Sequence, residues 1–146
     1  MKKMISVVVI LMCVAVVAQA AAPWLTDFGA AQKVAAEKKL PILALFTGSD
    51  WCSWCIKLDK EVLSQKVFCD YASTNLVLFK ADFPRKIKIA VDVMKANQAL
   101  QTKYGVRGYP TVLLLNNDGS LIDTTGYEPG GAAKYVDMLK KMLPSR

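Results

Sequence analysis

The sequence predicts a single α/β domain in which helices flank a β-sheet, and three observations carry that prediction. At 146 residues the chain has the size of one domain. Two short, unbroken apolar runs, Ile42-Leu43-Ala44-Leu45-Phe46 and Thr111-Val112-Leu113-Leu114-Leu115, have the length and composition of strands covered on both faces. Around and between them, apolar residues recur at the three- and four-residue spacing of helices. Hydrophobic residues make up 53% and charged residues 21%, with 6 prolines and 8 glycines, a balance that excludes a disordered or fibrous chain. There is no histidine. That removes Cys/His and Ser/His/Asp catalysis, Cys2His2 fingers and histidine-ligated haem together.

The start of the chain reads as a signal peptide, residues 1–20, ahead of a domain at residues 21–146. Lys2 and Lys3 are followed by an almost unbroken apolar run, and Ala18-Gln19-Ala20 fits the small-x-small pattern of a cleavage site. An exported, periplasmic protein is expected. An uncleaved membrane anchor is the weaker alternative, because the apolar run is short and ends in small residues. Removing the signal also removes Cys13 and two of the charges that make the chain +7. The remaining domain is only moderately basic, and no nucleic-acid partner is expected.

Within the domain, Thr26 or Asp27 can cap a helix running to about Lys39, with Phe28, Ala31 and Ala35 on one side, and Pro41 forces an extended restart. After the 42–46 strand, Cys55, Leu58, Val62 and Leu63 mark one face of a helix opening at Cys52, with Lys57, Lys60 and Glu61 opposite. A helical stretch holds Cys69, expected to be a small buried hydrophobe. Leu76 to Phe79 is a second strand, and a further helix ends near Tyr104-Gly105. After the 111–115 strand, Asn116-Asn117-Asp118-Gly119 is a strong turn signal leading to a strand from Ser120 to Thr125. The closing helix carries Ala132, Tyr135, Val136, Leu139, Met142 and Leu143 on one face, which makes its methionines core residues and not a copper set. Pro84-Arg85-Lys86-Ile87-Lys88 reads as a solvated basic loop, with an acidic partner or anionic lipid as the sharper alternative.

The chemistry concentrates in Trp51-Cys52-Ser53-Trp54-Cys55. A strand ends at Thr47 and Cys52 falls at the amino end of a helix, where unpaired N–H groups and the helix dipole favour a thiolate. Cys52 is therefore the candidate nucleophile, exposed and of low pKa. Cys55, one turn on, faces the buried stripe and is placed to attack a mixed disulfide formed at Cys52. A lone C-x-x-C is also half of a zinc site, but tetrahedral zinc wants a second pair of ligands that Cys69 alone does not supply. No metal or other cofactor is expected.

Together with Tyr109-Pro110-Thr111 before an apolar strand, Asn117-Asp118-Gly119 and the amphipathic last helix, this motif resembles the thioredoxin superfamily. The resemblance implies a thioredoxin fold with a central mixed β-sheet. It also implies that Pro110 is cis and lies against the redox pair, and that the Tyr109 backbone pairs with an extended substrate. Trp51 and Trp54 are candidates for an apolar rim that receives substrate peptides, with plain packing as the alternative for at least one of them. The chain is most similar to exported Dsb-type proteins of Gram-negative bacteria, a chlamydial periplasmic reductase among them, with which it shares a Trp before the second Cys. Ser53-Trp54 replaces the Gly-Pro of thioredoxin itself. Its buried aspartate is matched by Phe46 and the accompanying lysine by Lys80, which leaves Asp50, Asp59, Glu61 or water to take the proton of the buried thiol.

The expected function is periplasmic thiol-disulfide exchange, in the reductase or isomerase direction, on disulfide-containing protein substrates, by a monomer recharged by a membrane electron donor. With no histidine between the cysteines, little beyond the helix dipole stabilises the thiolate, which favours a reductant. The alternatives are a thiol-based copper-handling protein using Cys52, Cys55 and perhaps Cys69, and a binding module whose cystine is a staple.

Overall fold

The computed structural model describes residues 22–144; the signal peptide expected at 1–20 lies outside the described residues. The elements run β1 (Trp24–Leu25), α1 (Phe28–Lys38), β2 (Ile42–Thr47), α2 (Ser53–Leu58), a π-helical turn (Asp59–Leu63), α3 (Lys66–Asn75), β3 (Val77–Asp82), α4 (Val91–Lys103), β4 (Thr111–Leu115), β5 (Leu121–Thr125) and α5 (Gly131–Met142). Asp27 is the cap of α1: its backbone is extended and its carboxylate accepts the Ala30 amide at 2.7 Å. The helix closes at Lys39, whose left-handed backbone turns its N–H onto the last carbonyls before Pro41 restarts the chain in β2.

The five strands lie in the order β1-β3-β2-β4-β5. β2 is parallel to β3 and antiparallel to β4, so the sheet is mixed. Side chains of a strand alternate between faces, and β2 shows it cleanly. Leu43 and Leu45 join Leu58, Val62, Phe68, Tyr135 and Leu139, the inward residues of α2, the π-helical turn, α3 and α5. Ile42, Ala44 and Phe46 join Ala31 and Ala35 of α1, with Phe79, Leu113 and Leu115. Both faces are covered, which is why β2 and β4 read as continuous apolar runs. Each large side chain removed from water here contributes roughly 1.5–3 kcal/mol.

Three elements differ from the sequence reading. β1 has two residues, too few to show a pattern. β3 runs on to Asp82, beyond the end at Phe79 expected from the sequence, because its pairing with β2 continues to Thr47↔Asp82. The helix beginning near Cys52 is not one regular helix: it widens into the π-helical turn and stops at Ser64, whose amide reaches the Asp59 carbonyl at 2.9 Å. Among the described residues no helix is long and apolar enough to cross a membrane.

Candidate active site

Because β2 and β4 are antiparallel, the end of the first and the start of the second meet at one edge of the sheet, paired as Phe46↔Thr111. After Thr47 the chain turns at Gly48, whose carbonyl accepts the Trp51 and Cys52 amides at 3.3 and 2.9 Å. Cys52 is then the extended N-cap of α2, and its sulfur accepts the Cys55 amide at 3.3 Å. The two cysteines are joined in a disulfide with Cα atoms 5.2 Å apart. The Gly48 amide points at the Cys55 sulfur from 3.5 Å. Contrary to the contrast drawn from the sequence, Cys52 is not exposed in this oxidised pair: it is 7% exposed against 4% for Cys55. The Tyr109 carbonyl, 3.7 Å from the Cys52 sulfur, helps to cover it.

That carbonyl belongs to the Tyr109–Pro110 peptide, which is cis. The Tyr109 ring stacks on Phe83 with centroids 5.1 Å apart and meets the edge of Trp51 at 6.0 Å. Burial pushes its phenol pKa above the ordinary value, opposed by a hydrogen bond with Gln101. Trp51 folds back over the turn and donates its indole N–H to the Phe83 carbonyl at 2.8 Å. Gly48 is required for this, since a Cβ there would stand 2.6 Å from the indole nitrogen. Trp54 points outward, 54% exposed. Its ring lies 5.3 Å from that of Tyr127, and the Lys57 ammonium stands 5.1 Å from each centroid. Tyr127 donates to Glu61 at 2.6 Å, an acceptor that holds the phenol protonated above its usual range.

The candidate proton acceptors separate clearly. Asp50 accepts the amides of Arg85, Lys86 and Ile87 at 2.9, 2.7 and 2.8 Å, and the Arg85 amide foremost holds its carboxyl below the usual range. Glu61 is turned to Tyr127. Asp59 and Lys80 instead line, with Leu45, Thr47, Ser49 and Ile56, a cavity of about 200 Å³ that reaches Cys55. Phe46 does not face this cavity. It packs on the opposite side of the sheet, fully buried, so β2 presents Leu45 and Thr47 to Cys55. The residue matched in sequence to the family's aspartate thus lies on the face of the sheet away from Cys55.

Cys69 is free and half-buried, its thiol 3.5 Å from the Leu63 carbonyl, so it is less enclosed than expected. Among the described residues no group of three His, Cys, Asp or Glu side chains is arranged to hold a metal. The segment after β3, read as solvated, is tied to the site. Ser49 donates its amide and hydroxyl to the Asp82 carboxylate at 3.0 and 2.5 Å, and the Arg85 guanidinium lies 3.6 Å from the Trp51 ring centroid. Nothing local in the sequence marks these contacts, since the partners lie 32 to 37 positions apart.

A dithiol bridged at the amino end of a helix, facing a cis-proline across the edge of a mixed sheet, is the site of a protein of thioredoxin architecture. The chain belongs to the thioredoxin-like domain family, whose model matches residues 28–143. It is 38% identical over 106 residues to the disulfide bond reductase DsbH of Chlamydia pneumoniae, a match covering 73% of this chain and 64% of that protein. It is 26% identical over 132 residues to the thioredoxin-related protein DsbJ of the same organism, covering 83% of this chain and 38% of DsbJ. The chain thus spans less than two thirds of the length of these relatives. The solved structure of a DsbH oxidoreductase superposes with a TM-score of 0.80 at 33% identity, covering 84% of this chain and 85% of that one. The oxidised C-terminal domain of Neisseria meningitidis DsbD, at 20% identity and a TM-score of 0.59 over 83% of this chain and 100% of that domain, shares the fold.

Proposed function

We propose that this protein is an exported, periplasmic thiol-disulfide oxidoreductase that reduces disulfides in client proteins. The observation that carries the reading is the Cys52–Cys55 pair, with Cys52 capping α2 beside the Tyr109 carbonyl. The likeness to a disulfide bond reductase supports the direction. In the reduced protein the Cys52 thiolate attacks one sulfur of a client disulfide. A Cys52–client bond forms, and the other client sulfur leaves as a thiolate and takes a proton. Cys55 then loses its proton, attacks the Cys52 sulfur, and the second client thiolate departs. Two electrons pass to the client and the Cys52–Cys55 bond is restored. Asp59, through water in the cavity it shares with Cys55 and Lys80, takes the Cys55 proton. Trp51, Trp54, Tyr109 and Pro110 form the surface that receives the client, and a membrane electron donor returns the pair to the dithiol.

The direction follows from how little holds the Cys52 sulfur as an anion: the Cys55 amide and the helix end, with no histidine in the chain. A weakly stabilised thiolate makes the disulfide comparatively stable and the dithiol a reductant. Equilibration against defined thiol buffers should give a midpoint nearer ~−270 mV than ~−120 mV. Cys55→Ala should accumulate client mixed disulfides through Cys52, and Cys52→Ala should trap none. A midpoint at the oxidising end would reverse the proposed direction, and trapping by Cys52→Ala would overturn the assignment of the nucleophile.

A further inference from the structure

The loop after β3 is fixed to the redox turn more firmly than an ordinary surface loop. Ser49, Asp50 and Trp51, the three residues before Cys52, make six hydrogen bonds to residues 82–87. Asp50 spends its carboxylate on three successive backbone amides, and the side chains of Arg85, Lys86 and Lys88 are left exposed to solvent. None of these three cations pairs with a carboxylate among the described residues. Arg85 further lies over the Trp51 ring at 3.6 Å from its centroid, and Trp51 touches Tyr109, whose carbonyl adjoins Cys52. On the other flank of the pair the cation Lys57 is answered by Glu61 at 4.0 Å. The redox site is therefore bordered on one side by three solvent-exposed cations that make no ion pair among the described residues, on a loop whose backbone amides hold the Asp50 carboxylate, and on the other side by a paired cluster.

We infer that the Arg85-Lys86-Lys88 loop is a selectivity element that recruits client segments carrying a carboxylate on one side of the reacting cysteine. This rests on the oxidoreductase reading above. Arg85 is the principal contact: a guanidinium already ordered on an aromatic ring presents its fork to a carboxylate with little further loss of side-chain freedom. The Cys52 sulfur lies 3.7 Å from the Tyr109 carbonyl, the Tyr109 ring centroid 6.0 Å from that of Trp51, and the Arg85 guanidinium 3.6 Å from the Trp51 centroid, so Arg85 stands two side chains away from the reacting sulfur. An extended client advances ~3.3 Å per residue, so an acidic side chain a few residues from its cysteine can pass over these rings to Arg85. Lys86 and Lys88 add attraction over a longer range, which salt screens.

The test uses synthetic peptides of one neutral sequence. Each contains a single cysteine in mixed disulfide with mercaptoethanol and carries Glu, Gln or Lys at two, three or four positions before or after it. The rate of reduction by the reduced protein is measured at low salt and at about 0.5 M salt. At low salt, on one side of the cysteine, the Glu peptide should react up to about fivefold faster than the Gln peptide and the Lys peptide slower by a similar factor, the range of a surface ion pair. High salt and the triple variant Arg85→Gln, Lys86→Gln, Lys88→Gln should each bring the three rates together. A charge-matched control, Lys33→Gln, Lys38→Gln, Lys141→Gln, should keep the order. Equal rates with the native protein overturn the inference and leave the oxidoreductase reading standing, as does loss of the order in the control. Failure to reduce any peptide overturns both.

Discussion

Replacing Gly48 by alanine tests how the redox turn is held. A Cβ at this position would stand 2.6 Å from the Trp51 indole nitrogen and 2.8 Å from Cζ2, where ordinary contact is ~3.5–4.0 Å. The ring must retreat by about 1 Å to restore ordinary contact. Three contacts then weaken together. The 2.8 Å hydrogen bond to the Phe83 carbonyl is worth ~0.5–1.5 kcal/mol. The Arg85 guanidinium over the ring is worth ~0.5–1 kcal/mol, and the edge contact with Tyr109 ~0.5–1.5 kcal/mol. Alanine returns ~0.4–1 kcal/mol by restricting the unfolded chain. The net loss should be about 1–3 kcal/mol, read as a lower midpoint in urea at unchanged slope for the oxidised protein. Tryptophan emission should shift to the red as Trp51 leaves its contacts. A loss below about 0.5 kcal/mol with unchanged emission would refute the claim that the packed indole requires a glycine here.

Two further outcomes follow from the carboxylates around the site. Asp50 has a lowered pKa in the folded state, so its contribution is present above the unfolded value of ~3.9 and is lost as pH falls through the folded one. Asp50→Asn should remove that part of the acid dependence, and hydrogen exchange at the Arg85, Lys86 and Ile87 amides should quicken in the variant at neutral pH; unchanged exchange would contradict the tether. Asp59→Asn should slow the release of client from the Cys52 mixed disulfide and move the pH profile of that step upward, while mixed-disulfide formation keeps its rate. An unshifted profile would remove Asp59 as acceptor of the Cys55 proton.

The parts of this fold that could be read from sequence are those whose causes are local. Unbroken apolar runs marked β2 and β4, Thr26-Asp27 announced a helix start that the structure assigns to Asp27, and Asn116 to Gly119 announced a turn that closes with the Gly119 amide on the Asn116 carbonyl at 2.9 Å. Cys52 and Cys55 were legible because their spacing and a preceding strand specify their placement. What escaped had non-local causes. Two residues become β1 only because β3 offers an edge. Lys80, Ala81 and Asp82 extend β3 only because β2 pairs with them, and the π-helical turn has no composition of its own. The tether from Asp50 to residues 85–87 and the seat of Arg85 on Trp51 exist only after β2 and β3 lie side by side. The strand parity that turns Phe46 away from Cys55 needed the register.

The antiparallel pairing of β2 with β4, and the parallel pairing of β2 with β3, set three chain segments on a single rim: the turn before Cys52, the loop after Asp82 and the peptide before Thr111. The sheet fixes how far apart these segments start, whatever their tips contain. In the functional reading proposed above, the cysteine pair and the side chains proposed to choose clients belong to different segments of this rim. Recharging the exposed side chains at 85, 86 and 88 would leave in place the backbone amides that Asp50 holds, and with them the spacing of Cys52, Cys55 and Pro110. The same property makes the loop a natural place to graft specificity by design, with the redox pair carried along unchanged.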